Sequence, residues 1–348
     1  MTETHHTFEV DKHADVVHVL DHPGEFSNVV SQRHVSVPNG MDPPQHTVFR
    51  AVVDRYFTAD RMTAFEPTLR AITAELAAAL PRDDEFDFVE TFAEPYAGSA
   101  QCAFMGWPDS LREPLRRWIK SNHAAVHAQD REAMSAVALE FDGHIREQLD
   151  ARRGPDAPAD VTTDLLGEVV EGRPLRDDEI VSIVRNWTVG ELGTIAAGVG
   201  ILAHFLAAHP EVQDRLRADP TLIEPACDEI LRLHAPLITN RRRTTHEVTL
   251  SDVRIPADAP VTVVWAEANR DPDAFDAADE FRLGRDPSRN LLYGRGIHVC
   301  PGAPLARMEF RIVLEELFAA TRHISPGGRA VAARYPAAGF SELTLRLS

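Results

Sequence analysis

The residues best placed to do chemistry lie near the C-terminus, in the run Tyr293-Gly294-Arg295-Gly296-Ile297-His298-Val299-Cys300-Pro301-Gly302. Cys300 occupies a glycine-rich turn directly ahead of a helical pattern over residues 303–317. A thiolate facing a helix N-terminus, ringed by backbone N–H groups, holds its charge without a base and makes a permanent axial metal ligand. A glycine-rich loop around a buried structural cysteine is the plainer reading of the same residues. Upstream, Glu229 and Arg232 stand at i and i+3, and His46 and Arg50 at i and i+4, so each pair shares a helix face. Taken alone, either pair reads equally as solvated surface charge.

These groups need a frame, and apolar periodicity supplies a helical one. Helical spacing covers residues 15–20, 47–57, 61–80, 88–105 and 110–150, with turn-rich breaks at 38–44 and 152–160. A long helix is expected over 177–208, closed by His209-Pro210, and a run of that length without internal breakers crosses a core. After a helix ending near Leu233, alternation predicts strands at 247–250, 253–255 and 261–265, with a last one at 343–347. The expected fold class is mainly α with a minor β component, in one domain over residues 1–348, its small sheet segments near 247–265 and 337–347.

Composition narrows the function. With 36 basic against 54 acidic side chains, the formal charge of −18 argues against nucleic acid as a partner. Three cysteines, Cys102, Cys227 and Cys300, lack CxxC spacing, which argues against a disulfide framework or zinc site. The N-terminus has no basic n-region or apolar run, and the apolar stretch 195–208 is interrupted by His204 and short for a bilayer. A cytoplasmic chain with no membrane partner is expected.

The Cys300 loop resembles the cysteine-ligand loop of the cytochrome P450 family, aromatic-Gly-x-Gly-x-His-x-Cys-x-Gly, and the likeness extends over nearly the whole chain. It implies heme b (iron protoporphyrin IX) bound through Cys300, with Gly294, Gly296 and Gly302 keeping side chains off the porphyrin. His298, Arg242 in Arg241-Arg242-Arg243, and the pair His46 and Arg50 match the family's propionate contacts. Glu229 and Arg232 match its Glu-x-x-Arg pair, with Arg282 and Arg285 both open as the third partner. Ala268-Asn269-Arg270-Asp271-Pro272 resembles its bacterial signature and is read as structural.

Counting back from His209-Pro210, the family's Ala-Gly-x-Asp/Glu-Thr segment falls on Gly190-Glu191-Leu192-Gly193-Thr194. Thr194 keeps the hydroxyl that orders dioxygen, while Gly193 replaces the neighbouring acid. Glu191, one helical turn away, is either a shifted proton relay or a buried structural acid. Residues 185–194, Phe26-Ser27-Asn28 and Pro38-Asn39-Gly40 resemble the bacterial branch whose heme domain is often fused to a flavin and iron-sulfur reductase.

The resemblance implies a monooxygenase taking O2, a small hydrophobic or aromatic substrate and electrons from NAD(P)H through a ferredoxin or flavin-type reductase system. Hydroxylation or O-dealkylation would follow. A peroxide-driven peroxygenase and a non-catalytic heme module are the alternatives. The substrate pocket is expected under residues 31–41, 118–137 and 337–340, with Val189, Gly190, Leu237, Ile238, Thr239 and Phe340 in its wall. Arg289, Arg295 and Arg307 are expected to form a positive patch for the redox partner.

Overall fold

The computed structural model describes residues 7–31 and 36–348. Helices dominate: α1 His13–Asp21, α2 Gln45–Val53, α3 Ala59–Ala79, α4 Glu94–Met105, α5 Arg112–His127, α6 Arg131–Asp150, α7 Val161–Gly167, α8 Asp177–Val189, α9 Ala196–Ala208, α10 Pro210–Ala218, α11 Ile223–His234, α12 Trp265–Ala268 and α13 Ala303–Ala320. The strands are β1 Phe8–Val10, β2 Phe26–Ser27, β3 Glu85–Asp87, β4 Val169–Val170, β5 Arg173–Pro174, β6 Thr239–Thr244, β7 Val248–Leu250, β8 Val253–Ile255, β9 Pro260–Val264, β10 Ile324–Ala332 and β11 Phe340–Leu347.

The expected 110–150 helix is two. Gln129 takes a left-handed φ of 53°, and Asp130 starts α6 by accepting the N–H groups of Glu132 and Ala133. Likewise the 177–208 run is one rod with an altered centre: between α8 and α9 the backbone widens to π geometry over Gly190–Ile195. Such widenings free backbone from strict α pairing and recur at functional sites. Residues Asp177–Ala208 are long and apolar enough to cross a membrane, yet 61% of their most apolar stretch is buried within the fold, as in a core helix. Its packing is close, since a methyl on Gly198 would come within 2.6 Å of the Phe310 ring on α13.

The sheet parts are larger than expected. One sheet runs β1-β9-β6-β2, with β6 antiparallel to β9 and Arg242 opposite Val261. A second runs β10-β11-β3. Pro326, Gly327 and Gly328 make β10 read as a loop, and its pairing does break register there, between Pro326 and Ala330. The main core joins α3, α4, the central rod, α11 and α13, while a smaller one joins α1, β9 and Leu291.

Candidate active site

The Cys300 turn is held from behind by a buried network. Arg232, wholly buried, donates from Nε to Glu229 Oε2 at 2.8 Å and from Nη2 to Glu229 Oε1 at 3.0 Å. Its Nη1 donates to the carbonyls of Asn269 and Ala278 at 2.6 and 2.8 Å. Arg285 supplies the third side chain, Nε to Glu229 Oε1 at 2.8 Å, whereas Arg282 adds only its backbone N–H and turns its guanidinium to Glu280. Asn269 passes the restraint on, its Oδ1 accepting from the N–H of Leu291 at 2.8 Å. Cys300 N–H then closes the turn onto the Tyr293 carbonyl at 2.8 Å.

Two of the turn's glycines are explained by geometry. Gly294 and Gly296 have φ of 73° and 69°, where other residues are strained. A Cβ at Gly296 would also lie 2.4 Å from the carbonyl oxygen of Leu20, so this glycine lets α1 press against the turn rather than sparing a cofactor's face. At Gly302 a methyl would meet the Cys300 sulfur at 3.9 Å, so the missing side chain leaves that side of the thiol open.

Cys300, Arg242, His298, Gly190, Glu191, Thr194 and Leu237 all line one cavity of ≈ 390 Å³ between the central rod, the turn and α13. Burial pushes the Cys300 thiol up, opposed by the N–H groups of Gly302 and Ala303 and by Arg50 and Arg307. Arg242 is the buried member of three arginines because strand alternation turns it inward and its neighbours outward. No carboxylate pairs with it among the described residues, and burial brings it down to about 10. The rings of His46 and His298 lie 4.2 Å apart, and the Nε2 of each is buried without a hydrogen-bond partner. Burial, then His46, Arg242 and Arg50, holds His298 down to about 3. A cationic pocket with two idle ring nitrogens beside an open thiol is the donor set that heme requires: a soft axial ligand, and clamps for two carboxylates. Arg50 is placed differently from its expectation, since Nη1 donates to the Ile297 and Val299 carbonyls at 3.1 and 2.7 Å and braces the turn.

On the opposite wall, Glu191 faces Glu309 of α13, which the sequence reading missed. Both carboxyls are buried and line the cavity with Thr194. Glu309 Oε1 and Oε2 and Glu191 Oε1 make no well-aligned hydrogen bond, but the groups are close enough to perturb each other. Burial pushes Glu191 up to about 7, and burial with the Glu191 charge pushes Glu309 well above the usual range. The Tyr96 hydroxyl feels both carboxyls. Glu309 was detectable as an acid on the buried stripe of α13, four residues after Leu305. Where the neighbouring acid is missing, the imidazole of His123 on α5 fills the gap, its Nε2 4.0 Å from the Cβ position of Gly193.

Other expected wall residues lie elsewhere. Val189 is exposed, because it ends α8 on the outer face. Thr239 shares a hydrogen bond with the Tyr335 hydroxyl at 3.1 Å, and Phe340 packs on the His204 ring at 4.6 Å; neither lines the cavity, nor does Ile238. Trp118 is core, donating to the Val137 carbonyl and stacking on Phe141. Of residues 31–41, Pro38 and Asn39 reach the cavity, and 32–35 fall outside the described residues. The expected positive patch is weakened: Arg295 pairs with Asp21 and Arg307 with Asp228, while Arg289 donates to the Ala274 carbonyl and keeps its charge.

The cytochrome P450 family profile matches residues 104–331. The chain is 33% identical over 282 residues to the vitamin D(3) 25-hydroxylase of Pseudonocardia autotrophica, spanning 80% of this chain and 69% of that protein. It is 32% identical over 331 residues to the erythromycin C-12 hydroxylase of Saccharopolyspora erythraea, spanning 90% and 81%. Among solved structures, a mutant of P450 EryK in complex with erythromycin B is similar at TM-score 0.89 and 26% identity, over 100% of this chain and 92% of that one.

Proposed function

This chain belongs to the cytochrome P450 family of heme b monooxygenases, and from that premise we propose that it inserts one oxygen atom of O2 into a small apolar or aromatic substrate. Electrons would come from NAD(P)H through a ferredoxin or flavin reductase, whether separate or fused. The whole chain serves as one heme-binding domain working in the cytoplasm. Cys300 would hold the iron, and Arg242, His298 and His46 the two propionates, with Arg50 bracing the loop. When bound, heme supplies the activation of O2, which consumes two electrons and two protons.

The protein's own part is to shape the pocket and to store and place protons. Phe57, Phe104, Trp187, Leu237 and Leu292 give the cavity an apolar wall that binds apolar guests and sheds water. Vitamin D(3), named for one relative, is a largely apolar molecule and agrees with an apolar guest. Thr194 presents a hydroxyl, and the Glu191 and Glu309 carboxyls stand in the same cavity, holding a proton at near-neutral pH. The single observation that carries this reading is that cavity: an open thiol, an unpaired buried cation, a hydroxyl and a proton-bearing carboxyl pair on one wall-to-wall site.

Gly193 favours one second reading, a peroxygenase fed by hydrogen peroxide, because the usual acid is missing. The Glu191 and Glu309 pair argues against it, since it restores a proton source. Turnover of a compound that shifts the heme spin state, measured with NADPH and a ferredoxin system against peroxide alone, separates the two. Product formed faster with the reductase supports the monooxygenase; product formed with peroxide and none with the reductase overturns it. Cys300→Ala should lose the far red-shifted Soret band of the reduced carbon monoxide form, and an unchanged band would show that another residue binds the iron.

A further inference from the structure

His18 lies in the last turn of α1, His22 follows four residues later as the residue capping its C-terminus, and Glu25 comes next in the turn to β2. One donor atom from each of the three lies within 4.8 Å of the others. His18 Nε2 is 3.6 Å from Glu25 Oε2. The two imidazoles stack with centroids 4.0 Å apart at 21°. None of these residues belongs to the cavity described above.

The three side chains are held, not merely neighbours. His22 Nδ1 lies 2.8 Å from the His18 carbonyl, an acceptor, so Nδ1 carries the proton and the Nε2 lone pair is free. A backbone carbonyl on the far nitrogen is how ligating imidazoles are oriented. The His18 ring stands edge-on against buried Phe26 at 6.0 Å. The Glu25 and Phe26 N–H groups both donate to the His22 carbonyl at 3.0 Å, which sets the turn that brings Glu25 back to the histidines.

From this arrangement we propose that His18, His22 and Glu25 bind a divalent d-block cation of the zinc class. Two imidazole nitrogens and one carboxylate oxygen suit a borderline-soft ion and not magnesium or calcium, which prefer all-oxygen sites. Three protein donors leave a position for water. The ion ties the end of α1 to the turn before β2. That end carries Leu20, which lines the cavity and abuts Gly296, and Asp21, which pairs with Arg295 at 2.7 Å. A cation here therefore clamps the segment that supports the Cys300 turn.

Zinc titrated calorimetrically into the heme-loaded full chain tests the site, with the double variant His18→Ala/His22→Ala and the single variant Glu25→Gln beside it. The wild type should show a saturable one-to-one event and a higher melting temperature in zinc, because a ligand specific to the folded state stabilises it. The double variant should bind roughly tenfold or more weakly and lose the melting shift, with Glu25→Gln between. Equal isotherms and melting shifts in wild type and double variant would place the zinc elsewhere and overturn the proposal, as would the absence of saturable binding. If the double variant does not fold, an unaltered zinc affinity in Glu25→Gln overturns it equally.

Discussion

Replacing Glu191 with Gln should stabilise the protein at alkaline pH and leave it unchanged in mild acid. The Glu191 carboxyl titrates near 4.5 in an unfolded chain and is pushed up to about 7 by burial in the fold. Below 4.5 both states hold the proton, so the shift costs nothing there. Above about 7 both have lost it, and the folded state carries a buried anion facing Glu309. The penalty grows between those limits, because the folded state binds more protons than the unfolded one. At about 1.4 kcal/mol per pH unit, the interval from 4.5 to about 7 is worth on the order of 3 kcal/mol. The glutamine of the variant carries no such charge, and its amide can donate to a carboxyl oxygen of Glu309. Urea midpoints of the heme-loaded wild type and variant, taken at steps from about pH 4 to pH 8, measure the difference. It should be near zero at the acid end and rise toward about 3 kcal/mol in favour of the variant at the alkaline end. A difference independent of pH would refute the buried-carboxyl argument. In the same variant, product formed per O2 consumed should fall if the pair supplies protons, and full coupling would make Glu191 structural.

Removing the carboxylate in Glu229→Ala leaves the fully buried Arg232 without its partner, a loss of about 3–5 kcal/mol, read as a lower urea midpoint and poor heme retention. Gly296→Ala forces a side chain into φ 69° and onto the Leu20 carbonyl; the backbone alone costs about 1–2 kcal/mol, so the melting temperature should drop and α1 should separate from the turn, seen as faster hydrogen exchange in both. Gly193→Asp sets a carboxyl beside His123, whose imidazole burial now holds low; the new charge should raise it, and O2 consumption without product should decrease near neutral pH.

The Cys300 turn and the Glu229 and Arg232 pair were legible in local spacing, a glycine turn before a helix and a helical i,i+3 pair, whereas the middle arginine at 242 was marked only by the family resemblance, its strand β6 not being among those expected. What the sequence did not show depends on segments distant along the chain. Glu309 is an unexceptional acid until α13 packs under the central rod and brings it to Glu191. The supposed docking cations Arg295 and Arg307 are cancelled by Asp21 and Asp228, which no spacing rule links to them. The π widening at Gly190–Ile195 breaks no apolar spacing that would announce it, and β10 was hidden by the Pro326-Gly327-Gly328 irregularity that its sheet absorbs as a bulge.

The contact between Gly296 and the Leu20 carbonyl joins two segments far apart along the polypeptide. A chain emerging from the ribosome therefore cannot complete its cofactor cradle until the Cys300 turn has been made and α1, synthesised long before, has returned to meet it. Cofactor capture is then a late event of biogenesis, and a truncation that kept Cys300, Arg242, His298 and His46 but deleted α1 would still yield a protein slow to fill.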